Sequence, residues 1–500
     1  MKQLSLFEDR LDNHEYIVKN FSANGLCQEI ERMNLEKKYT PFLEVTQKFD
    51  RQTVSYQLSK KNPIHNWLKY KEGFSAELVN ILLDEMGASA GDTIMDPFIG
   101  SGTTAITCQM RGINSIGYDI MPFSSIAIKA KSNVLNYKIS ELKMLIDEFS
   151  SLTMPEYYLK RTPYIKITDS AYPKFNEQFI QFTTDWIIQS DYSQELQNLF
   201  TLCVLNSLER CSYTAKDGQY LRWDSRSNKI INANIKRKKS SQKTIMTHQC
   251  RETVENIQNA IKEELNHTLS DITFAQSTTH NTLSATIDFI EGSALFEIPK
   301  LGDSTLNGVI TSPPYCNRYD YTRIYALELV FLGCNEDKIK YLRQALLSCT
   351  VESKSKISLL RKSYEQSNKL ERFHYIMKKI NSNATFKEIM KALNTRKTHG
   401  DLNNNGVINM IEGYFTELAF VYAELYRVCK NGAFIAIVND NVRYGGEIIP
   451  VDYLSTSFAE QFGFKPIKIY CLKNQKGNSS QQMKKFGRTA LRKSITIWQK

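Results

Sequence analysis

The chain has 500 residues, of which 42% are hydrophobic and 23% charged, and its formal net charge is +11. This composition supports a packed core and excludes global disorder. The length allows roughly two to four domains, or one domain with large insertions. None of the ten cysteines forms a C-x-x-C pair, which argues against a zinc ribbon, and scattered thiols suit a reducing cytoplasm. The N-terminus has no apolar signal-peptide segment, and no window approaches about eighteen apolar residues, so no membrane span is expected.

The positive charge is concentrated in two segments. Residues 221–251 hold nine Lys and Arg against one acid, and residues 335–405 hold fifteen against seven, so each segment carries a net +8. Concentrated positive charge is typical of a protein that binds a polyanion such as nucleic acid. The alternative for each segment is an ordinary solvated helical surface.

Seven short stretches rich in β-branched and apolar residues predict strands. In chain order they are Thr93–Asp96, Ser115–Tyr118, Ile287–Ile290, Gly308–Thr311, Ala433–Val438, Ile467–Leu472 and Ser494–Trp498. Amphipathic helices are predicted between them, among them Ser75–Met86 and Tyr414–Cys429, the latter with Asn431-Gly432 as its C-cap. Strands that alternate with helices indicate an α/β sheet with crossover connections. The gaps at roughly 135–285 and 334–410 are too long for simple crossovers and are interpreted as helical insertions.

A glycine turn follows the first predicted strand. The strand runs into Asp96-Pro97-Phe98-Ile99-Gly100-Ser101-Gly102-Thr103-Thr104, and a helical pattern comes next. Glycines allow close backbone approach to a ligand, and a helix N-terminus offers free N–H groups. The turn is neither a P-loop nor a G-x-G-x-x-G motif. Asp119, at the end of the second strand, is placed to accept hydrogen bonds from ribose hydroxyls. A purely structural turn is the alternative.

A second motif, Thr311-Ser312-Pro313-Pro314-Tyr315, ends the fourth predicted strand. The two prolines favour an extended backbone and remove two N–H donors. What remains is a hydroxyl, outward carbonyls and an aromatic ring, a set that suits the exocyclic amine of a planar base. The amine would donate to the Ser312 hydroxyl and the Pro313 carbonyl while Tyr315 stacks on the ring. The alternative is a proline-rich turn with a packed tyrosine.

Together these motifs resemble the amino-methylating DNA methyltransferases, the cytosine-N4 and adenine-N6 enzymes that use S-adenosyl-L-methionine. DPFIGSGTT looks like their cofactor motif and TSPPY like their catalytic motif, of the form [DNS]-P-P-[YFW]. The serine variant leans towards cytosine-N4 and the aspartate variant towards adenine-N6. The stretch from Tyr70 to Val79 is similar to the segment that closes over the methionine end of the cofactor. The resemblance covers about 65–135 and 285–335 well, and the chain beyond 412 in pattern only.

The resemblance implies a Rossmann-like, seven-stranded class I methyltransferase sheet with two large, mainly helical insertions. The implied catalytic residues are Ser312, Pro313, Pro314 and Tyr315. The implied cofactor-binding residues are Tyr70, Phe74, Asp96, Phe98, Gly100, Ser101, Gly102, Thr103, Asp119 and Ser293. Ser293 departs from the family, in which many members have an acid near the cofactor's adenine. No metal is expected.

The chain is accordingly expected to divide into six parts. They are an N-terminal extension (1–62), the cofactor-binding part of the core (63–134), a helical basic insertion (135–285), the catalytic part of the core (286–333), a basic insertion for target recognition (334–410) and the C-terminal part of the core (411–500). The expected partners are double-stranded DNA and a cognate restriction endonuclease encoded in the same system. The expected location is the cytoplasm of a prokaryotic cell, in association with DNA.

Several basic residues are candidates for DNA contact, namely Arg222, Lys236, Arg237, Lys238, Lys239, Arg318 and Arg323. Arg222 lies in a polar–aromatic run, Cys211–Trp223, whose rings and cations could hold bases and phosphates, or could simply anchor a loop. Arg318 and Arg323 follow the catalytic motif and are expected on the rim of its pocket, with Asp320 orienting one of them. Cys316 is expected to be a wall residue of that pocket and not a nucleophile, because transfer to an amine needs no covalent intermediate.

Three other functions remain open on the sequence. The first is adenine-N6 methylation of DNA, against which only the serine of TSPPY argues. The second is methylation of a base amine in RNA, which shares the -PPY pocket. The third is a nucleic-acid-binding protein with a degenerate cofactor fold, against which the intact glycines, acids and catalytic motif argue.

Overall fold

The computed structural model describes residues 16–217, 220–278, 285–473, 476–477 and 485–500. The first fifteen residues, on which part of the signal-peptide prediction rests, lie outside this range, as do Gly218 and Gln219 of the polar–aromatic run. The strands are β1 Leu43–Thr46, β2 Thr93–Asp96, β3 Asn114–Asp119, β4 Thr214–Asp217, β5 Tyr220–Trp223, β6 Ile287–Glu291, β7 Leu306–Thr311, β8 Cys429–Asp440, β9 Val442–Tyr444, β10 Glu447–Ile449, β11 Lys465–Leu472, β12 Lys476–Gly477, β13 Ala490–Leu491 and β14 Lys493–Gln499.

The central sheet is mixed and mostly parallel, with the order β1-β11-β14-β8-β7-β2-β3-β6 among the described residues. Within it, β14 runs antiparallel to both of its neighbours, β11 and β8. The sheet is consistent with a class I methyltransferase, but it has eight strands and not seven. All seven predicted strands are present, and the eighth, β1, pairs in parallel with β11 at the sheet edge. β1 escaped prediction because four residues, LEVT, carry too little periodicity to stand out.

Nineteen α-helices occur in the described part of the chain. Those before β4 are α1 Ile30–Tyr39, α2 Tyr56–Ser59, α3 Ala76–Glu85, α4 Thr103–Met110, α5 Pro122–Ser132, α6 Ile139–Ser151, α7 Lys174–Gln189 and α8 Gln194–Ser207. Those between β5 and β8 are α9 Asn228–Lys239, α10 Ile257–Thr278, α11 Ala294–Glu297, α12 Tyr321–Ile324, α13 Ala326–Phe331, α14 Glu336–Ala345, α15 Ile357–Gln366, α16 Leu370–Ser382, α17 Ala384–Thr398 and α18 Gly406–Val428; α19 Val451–Phe462 follows β10. None of the described helices is long and apolar enough to cross a bilayer.

Apolar residues cover both faces of the sheet, as expected for a mostly parallel sheet. Side chains alternate between the faces along each strand. On β2, Met95 joins the core formed with α18 and α19, whereas its neighbour Ile94 joins the core formed with α3. Much of both faces is therefore buried, which leaves the ends of the strands as the place where a ligand can approach the sheet.

The predicted boundaries agree well with the structure for one of the two predicted helices and less well for the other. Ser75 caps α3 by accepting a hydrogen bond from the Leu78 N–H, so that helix matches its prediction to within a residue. The later helix, α18, begins earlier than predicted and ends at Val428. The predicted C-cap, Asn431-Gly432, is wrong because both residues lie inside β8. The Gly432 N–H donates to the Lys500 carbonyl, which pairs the start of β8 with the end of the chain.

Two stretches between sheet strands are long. The chain between β3 and β6 carries α5 to α10 and the β4–β5 hairpin, and the chain between β7 and β8 carries α12 to α18. Helices of both stretches pack into the two large apolar cores. Both stretches leave the sheet at its carboxyl edge, where β3 and β7 end.

Candidate functional site

Four parallel strands, β2, β3, β6 and β7, end at the same edge of the sheet, and the predicted motifs meet there. The register places Asp96 of β2 beside Gly117 of β3, and Asp119 beside Glu291 of β6. Carboxyl ends of parallel strands are the usual place for a ligand in an open α/β sheet. A cavity of about 750 Å³ opens at this edge.

This first cavity is lined by most of the predicted cofactor-binding residues. They are Tyr70, Phe74, Asp96, Phe98, Gly100, Ser101, Thr103, Asp119 and Ser293, joined by Ser312 and Pro314 of the catalytic motif. Gly102 does not line the cavity. It has a φ of +85° at the start of α4, and a Cβ there would lie 2.9 Å from Ile128 Cγ1, so its role is to let the turn pack closely on α5.

Gly100 shows why the turn needs glycine facing the cavity. Its φ is +53°, and a Cβ would lie 2.7 Å from the Tyr70 ring. Tyr70 in turn stacks on Tyr325, with ring centroids 5.4 Å apart. Lys131 also stabilises the turn, because its Nζ donates to the Ser101 carbonyl at 3.0 Å. Burial lowers the pKa of Lys131 to about 7.

The two acids of the cavity have different surroundings. Both carboxylate oxygens of Asp96 are used within the protein, since Oδ1 accepts from the Thr311 hydroxyl at 2.6 Å and Oδ2 from the Thr104 hydroxyl at 2.8 Å. Asp96 therefore ties β2 to β7 and α4. Asp119 accepts from two backbone N–H groups, that of Gly100 on Oδ2 and that of Met121 on Oδ1. A carboxylate oxygen has more than one lone pair, so Asp119 can accept from a ligand hydroxyl as well.

Burial raises the pKa of both carboxyls to about 6. For Asp119, the backbone hydrogen bonds favour the carboxylate and oppose this effect. Both groups are therefore mainly ionised at pH 7. An ionised Asp119 in a cavity of apolar and backbone surface is a strong acceptor for neutral hydroxyl donors.

A second cavity of about 1060 Å³ lies next to the first. Pro313 and Tyr315 line it, whereas Ser312 and Pro314 line the first cavity, so the catalytic motif forms the partition between the two. Glu72, Gly73 and Tyr321 line both cavities. The Ser312 hydroxyl donates to Tyr315 Oη at 3.2 Å. A group bound in the first cavity and a planar base in the second would therefore lie on either side of the catalytic motif.

Several lining residues were missed by the sequence analysis. Glu72 accepts a hydrogen bond from the Tyr325 hydroxyl at 2.6 Å, and burial raises the pKa of its carboxyl. It lies inside the Tyr70–Val79 segment, so the family resemblance of that segment could have identified it. Asp440 and Lys493 line the second cavity from β8 and β14. Ala345, Leu346 and Leu347 close the first cavity from the segment after β7, and no local pattern marks them.

The residues just after the catalytic motif are divided, since Asn317, Tyr319 and Tyr321 line the second cavity, whereas Cys316, Arg318 and Arg323 line neither cavity. Cys316 lines neither one and packs in the apolar core, so the expectation of a pocket-wall residue is wrong, and burial raises the pKa of its thiol. Arg318 and Arg323 line a separate small cleft with Asp320. Arg323 forms ion pairs with Asp320 at 3.2 Å and with Glu352 at 2.5 Å. Asp320 thus orients an arginine, as expected, in a cleft that shares no lining residue with either cavity.

The two basic segments differ in how much of their charge is available. In 335–405, Lys356 is buried in an ion pair with Glu417 at 2.8 Å, and Arg396 is buried in one with Glu447 at 2.7 Å. Net charge therefore overstates the positive surface of this segment. In 221–251, Lys236, Arg237, Lys238 and Lys239 form the exposed last turn of α9. Arg222, on β5, is also exposed and lines neither cavity.

The polar groups of the first cavity fit the cofactor implied by the sequence. They comprise an acid for hydroxyl groups and a glycine turn at a helix N-terminus, with apolar wall from Tyr118, Ile120 and Met121. Among the described residues no group of three His, Cys, Asp or Glu could hold a metal ion. The arrangement is one of two adjoining cavities that share Glu72, Gly73 and Tyr321 in their walls.

Comparison with known proteins agrees with this arrangement. Residues 14–129 match the model of a DNA methylase family, and residues 76–265 match that of the D12 class N6 adenine-specific DNA methyltransferases. The chain belongs to the amino-methylating DNA methyltransferases. It is 49% identical over 486 residues to the Type II methyltransferase M.BsoBI of Geobacillus stearothermophilus, covering 97% of this chain and 95% of the relative.

Two further relatives differ in how much they share. The Type II methyltransferase M.AvaI of Nostoc sp. (strain PCC 7120) is 36% identical over 489 residues, which are 96% of this chain and 95% of the relative. The Type II methyltransferase M.MjaII of Methanocaldococcus jannaschii is 32% identical over 148 residues, which are 28% of this chain and 27% of the relative. Methyltransferases of this kind use S-adenosylmethionine.

Proposed function

We propose that the protein is a site-specific DNA methyltransferase that transfers a methyl group from S-adenosyl-L-methionine to the N4 amine of cytosine in duplex DNA. The observation that carries the proposal is the pair of adjoining cavities on either side of the catalytic motif, with the cofactor motif and Ser312 lining one and Tyr315 lining the other. We assign the protein to a restriction-modification system, because its full-length relatives are named Type II methyltransferases. A cognate endonuclease and a cytoplasmic location go with that assignment.

The first cavity would hold the cofactor with its ribose at Asp119 and its methionine end under Tyr70 and Phe74. S-adenosylmethionine, when bound, supplies an electrophilic methyl group on sulfur. The residues of the first cavity would act by orienting the cofactor. Asp119 is fixed by two backbone N–H groups, and the Gly100 turn is fixed by Tyr70, so little reorganisation is needed on binding.

The second cavity would hold the target base, stacked on Tyr315. The amine of cytosine is a weak nucleophile because its lone pair is delocalised into the ring. Donation of its hydrogens to Ser312 Oγ and the Pro313 carbonyl favours a tetrahedral nitrogen, whose lone pair then faces the first cavity. Positioning and fixed dipoles supply most of the rate under this scheme, and the proton lost after transfer passes to water.

The base has to leave the duplex to reach Tyr315, which costs a few kcal/mol. Phosphate contacts made elsewhere on the protein would offset this cost. We assign these contacts to the exposed last turn of α9 within 135–285, and base recognition to the helices of 334–410. Arg222, Arg318 and Arg323 are secondary phosphate contacts in this proposal.

Adenine-N6 methylation is the second candidate, and a specific observation favours it. The match to the D12 class of N6 adenine-specific enzymes covers 76–265, which includes the cofactor turn and much of the first long stretch. The catalytic motif lies outside that match, and its Ser312 is the variant that leans to cytosine. The residue roles given above apply to both candidates, which differ only in the target base.

The decisive experiment is methylation of plasmid DNA by the purified protein with tritiated S-adenosylmethionine, followed by chromatography of the nucleosides. We expect the label in N4-methyldeoxycytidine. Label in N6-methyldeoxyadenosine would establish the second candidate instead. Ser312→Ala is the matched control and gives the background level of label. Wild-type label no higher than that background would refute both candidates.

A further inference from the structure

The second cavity, termed the base cavity because it would hold the target base, contains an ion pair between Lys493 and Asp440. Neither residue belongs to the cofactor motif or the catalytic motif. Lys493 is the first residue of β14, and Asp440 is the last residue of β8; the two are register partners. Because β14 runs antiparallel, its first residue reaches the same edge at which the parallel strands end. Both side chains line the cavity that Pro313 and Tyr315 also line.

Lys493 contacts the catalytic motif directly. Its Nζ lies 3.4 Å from Tyr315 Oη and 3.3 Å from Asp440 Oδ1, and the side chains of Lys493 and Asp440 are 18% and 17% exposed. Burial disfavours the charge, but Tyr315 and Asp440 outweigh it and hold the pKa of Lys493 above its ordinary value. An ammonium has three N–H donors, and both contacts are long for hydrogen bonds, so donor capacity remains for a ligand.

The Tyr315 hydroxyl links this lysine to the amine site. It accepts from Ser312 Oγ at 3.2 Å on one side and lies 3.4 Å from the Lys493 ammonium on the other. On cytosine and adenine, the ring atom next to the amine-bearing carbon is an unprotonated nitrogen, which accepts a hydrogen bond. On guanine and thymine, the corresponding edge carries a ring N–H, which would face the ammonium with a second donor.

We propose that Lys493, held by Asp440, reads the target base by donating a hydrogen bond to the ring acceptor beside the amine, N3 of cytosine. This inference rests on the proposed function and adds a specificity-determining residue to it. Cytosine offers a further acceptor, O2, on the same edge, whereas adenine offers a C–H there, so the lysine also favours cytosine over adenine. Flipped bases are commonly read along this edge, and a site built to donate a hydrogen bond discriminates strongly against a base that cannot accept it.

The test compares two changes that remove opposite ends of the same hydrogen bond. A duplex containing the mapped site is made with cytosine and with 3-deazacytosine, in which N3 is replaced by C–H; 1-deazaadenine serves if the target proves to be adenine. We measure kcat/KM for both duplexes with the wild type, Lys493→Met and Lys493→Arg. We expect Lys493→Met to reduce kcat/KM on the natural duplex roughly 10- to 100-fold, the scale of a hydrogen bond to a charged group.

The expected signature is non-additivity. The deaza substitution should lower kcat/KM at least about tenfold more in the wild type than in Lys493→Met, because the variant has already lost the bond, while Lys493→Arg should keep most of the wild-type sensitivity. Lys468→Met is the matched control, since Lys468 forms an inter-strand pair with Glu44 at 2.8 Å and lines neither cavity. It should behave as the wild type with both duplexes.

An equal deaza penalty in the wild type and Lys493→Met overturns the inference, even when both enzymes are active. If Lys493→Met fails to fold, as judged by lost cofactor binding in calorimetry, Lys493→Leu takes its place in the same comparison. Failure of the proposed function has a different signature, because the wild type would then transfer no methyl group to the natural duplex or would transfer it to adenine.

Discussion

Gly100 donates its backbone N–H to Asp119 Oδ2 at 3.0 Å, so the turn after β2 and the acid at the end of β3 form one unit. The same turn is packed against the Tyr70 ring, where a Cβ on Gly100 would lie 2.7 Å away. Three separate stretches of chain thus fix the position of one carboxylate before any ligand binds. Such preorganisation lowers the cost of binding.

Asp119→Ala should weaken cofactor binding about 10- to 100-fold, since it removes a charged hydrogen-bond acceptor worth roughly 1–3 kcal/mol. Isothermal titration calorimetry with S-adenosylmethionine measures the change directly. Ser293→Ala is the comparison variant at the same cavity, and we expect it to matter less because no carboxylate is lost. A dissociation constant for Asp119→Ala equal to that of the wild type would remove Asp119 from the cofactor site.

Cofactor affinity should also depend on pH below neutrality. Burial raises the pKa of Asp119 to about 6, so the carboxylate is present above that pH and is protonated as the pH falls through it. Affinity should accordingly fall between pH 7 and pH 5 in the wild type. Asp119→Asn should bind weakly and show a flatter profile; an unchanged slope would assign the dependence to Asp96, whose pKa is also raised to about 6.

Ser312→Ala and Tyr315→Ala should abolish or greatly reduce methyl transfer and leave cofactor binding largely intact. Tyr315 lines only the base cavity, and the hydroxyl of Ser312 points to Tyr315 Oη. Tyr315→Phe separates stacking from hydrogen bonding, because it keeps the ring and removes the hydroxyl between Ser312 and Lys493. Single-turnover transfer and calorimetry measure the two properties independently. Equal losses of cofactor affinity and activity would show that the roles are not separable.

Replacing Lys236, Arg237, Lys238 and Lys239 together with Gln should weaken binding to all DNA sequences and flatten its salt dependence. Removing one lysine–phosphate or arginine–phosphate interaction reduces the slope of log K against log salt by about 0.9. Fluorescence anisotropy with specific and unrelated duplexes at several salt concentrations gives both quantities. The control is Lys138→Gln with Lys143→Gln, two exposed lysines at the start of α6. A weakening confined to the specific duplex would contradict a phosphate role.

Exchanging the helices of the 334–410 segment for those of a relative with another target should change the methylated site. The exchange should keep Ala345–Leu347, which close the first cavity, and Lys356 and Arg396, which form buried ion pairs. Sequencing with modified-base detection reads the outcome. If the hybrid keeps the original site, and an exchange within 135–285 moves it, then our assignment of the two segments is reversed.

Local patterns were sufficient to predict the strands that build the site. Each of the seven predicted strands is present in the central sheet, and the turn after β2 is marked by its own glycines. The helix before β8 was harder to delimit, since Asn431-Gly432 resembles a helix end but is held in β8 by a backbone bond to Lys500. Tertiary pairing overrode a local turn signal there.

The parts of the site that escaped prediction come from distant segments. Leu346 and Leu347 reach the first cavity from beyond β7, and Lys493 reaches the second because β14 is reversed within the sheet. Charge counting also misjudged the second basic segment, because Lys356 and Arg396 are neutralised inside the fold. Neither spacing nor composition carries information about such contacts.

The reversed direction of β14 has a practical consequence for engineering. The strand begins at Lys493, in the base cavity, and runs to Gln499 beside Phe434, near the start of β8. A fluorescent protein or sequence-guided binding module fused after Lys500 would therefore emerge at the amino end of the parallel strands, on the side of the sheet away from both cavities. A position after Lys500 is thus an attachment point that should leave the approach of DNA to the catalytic motif unobstructed.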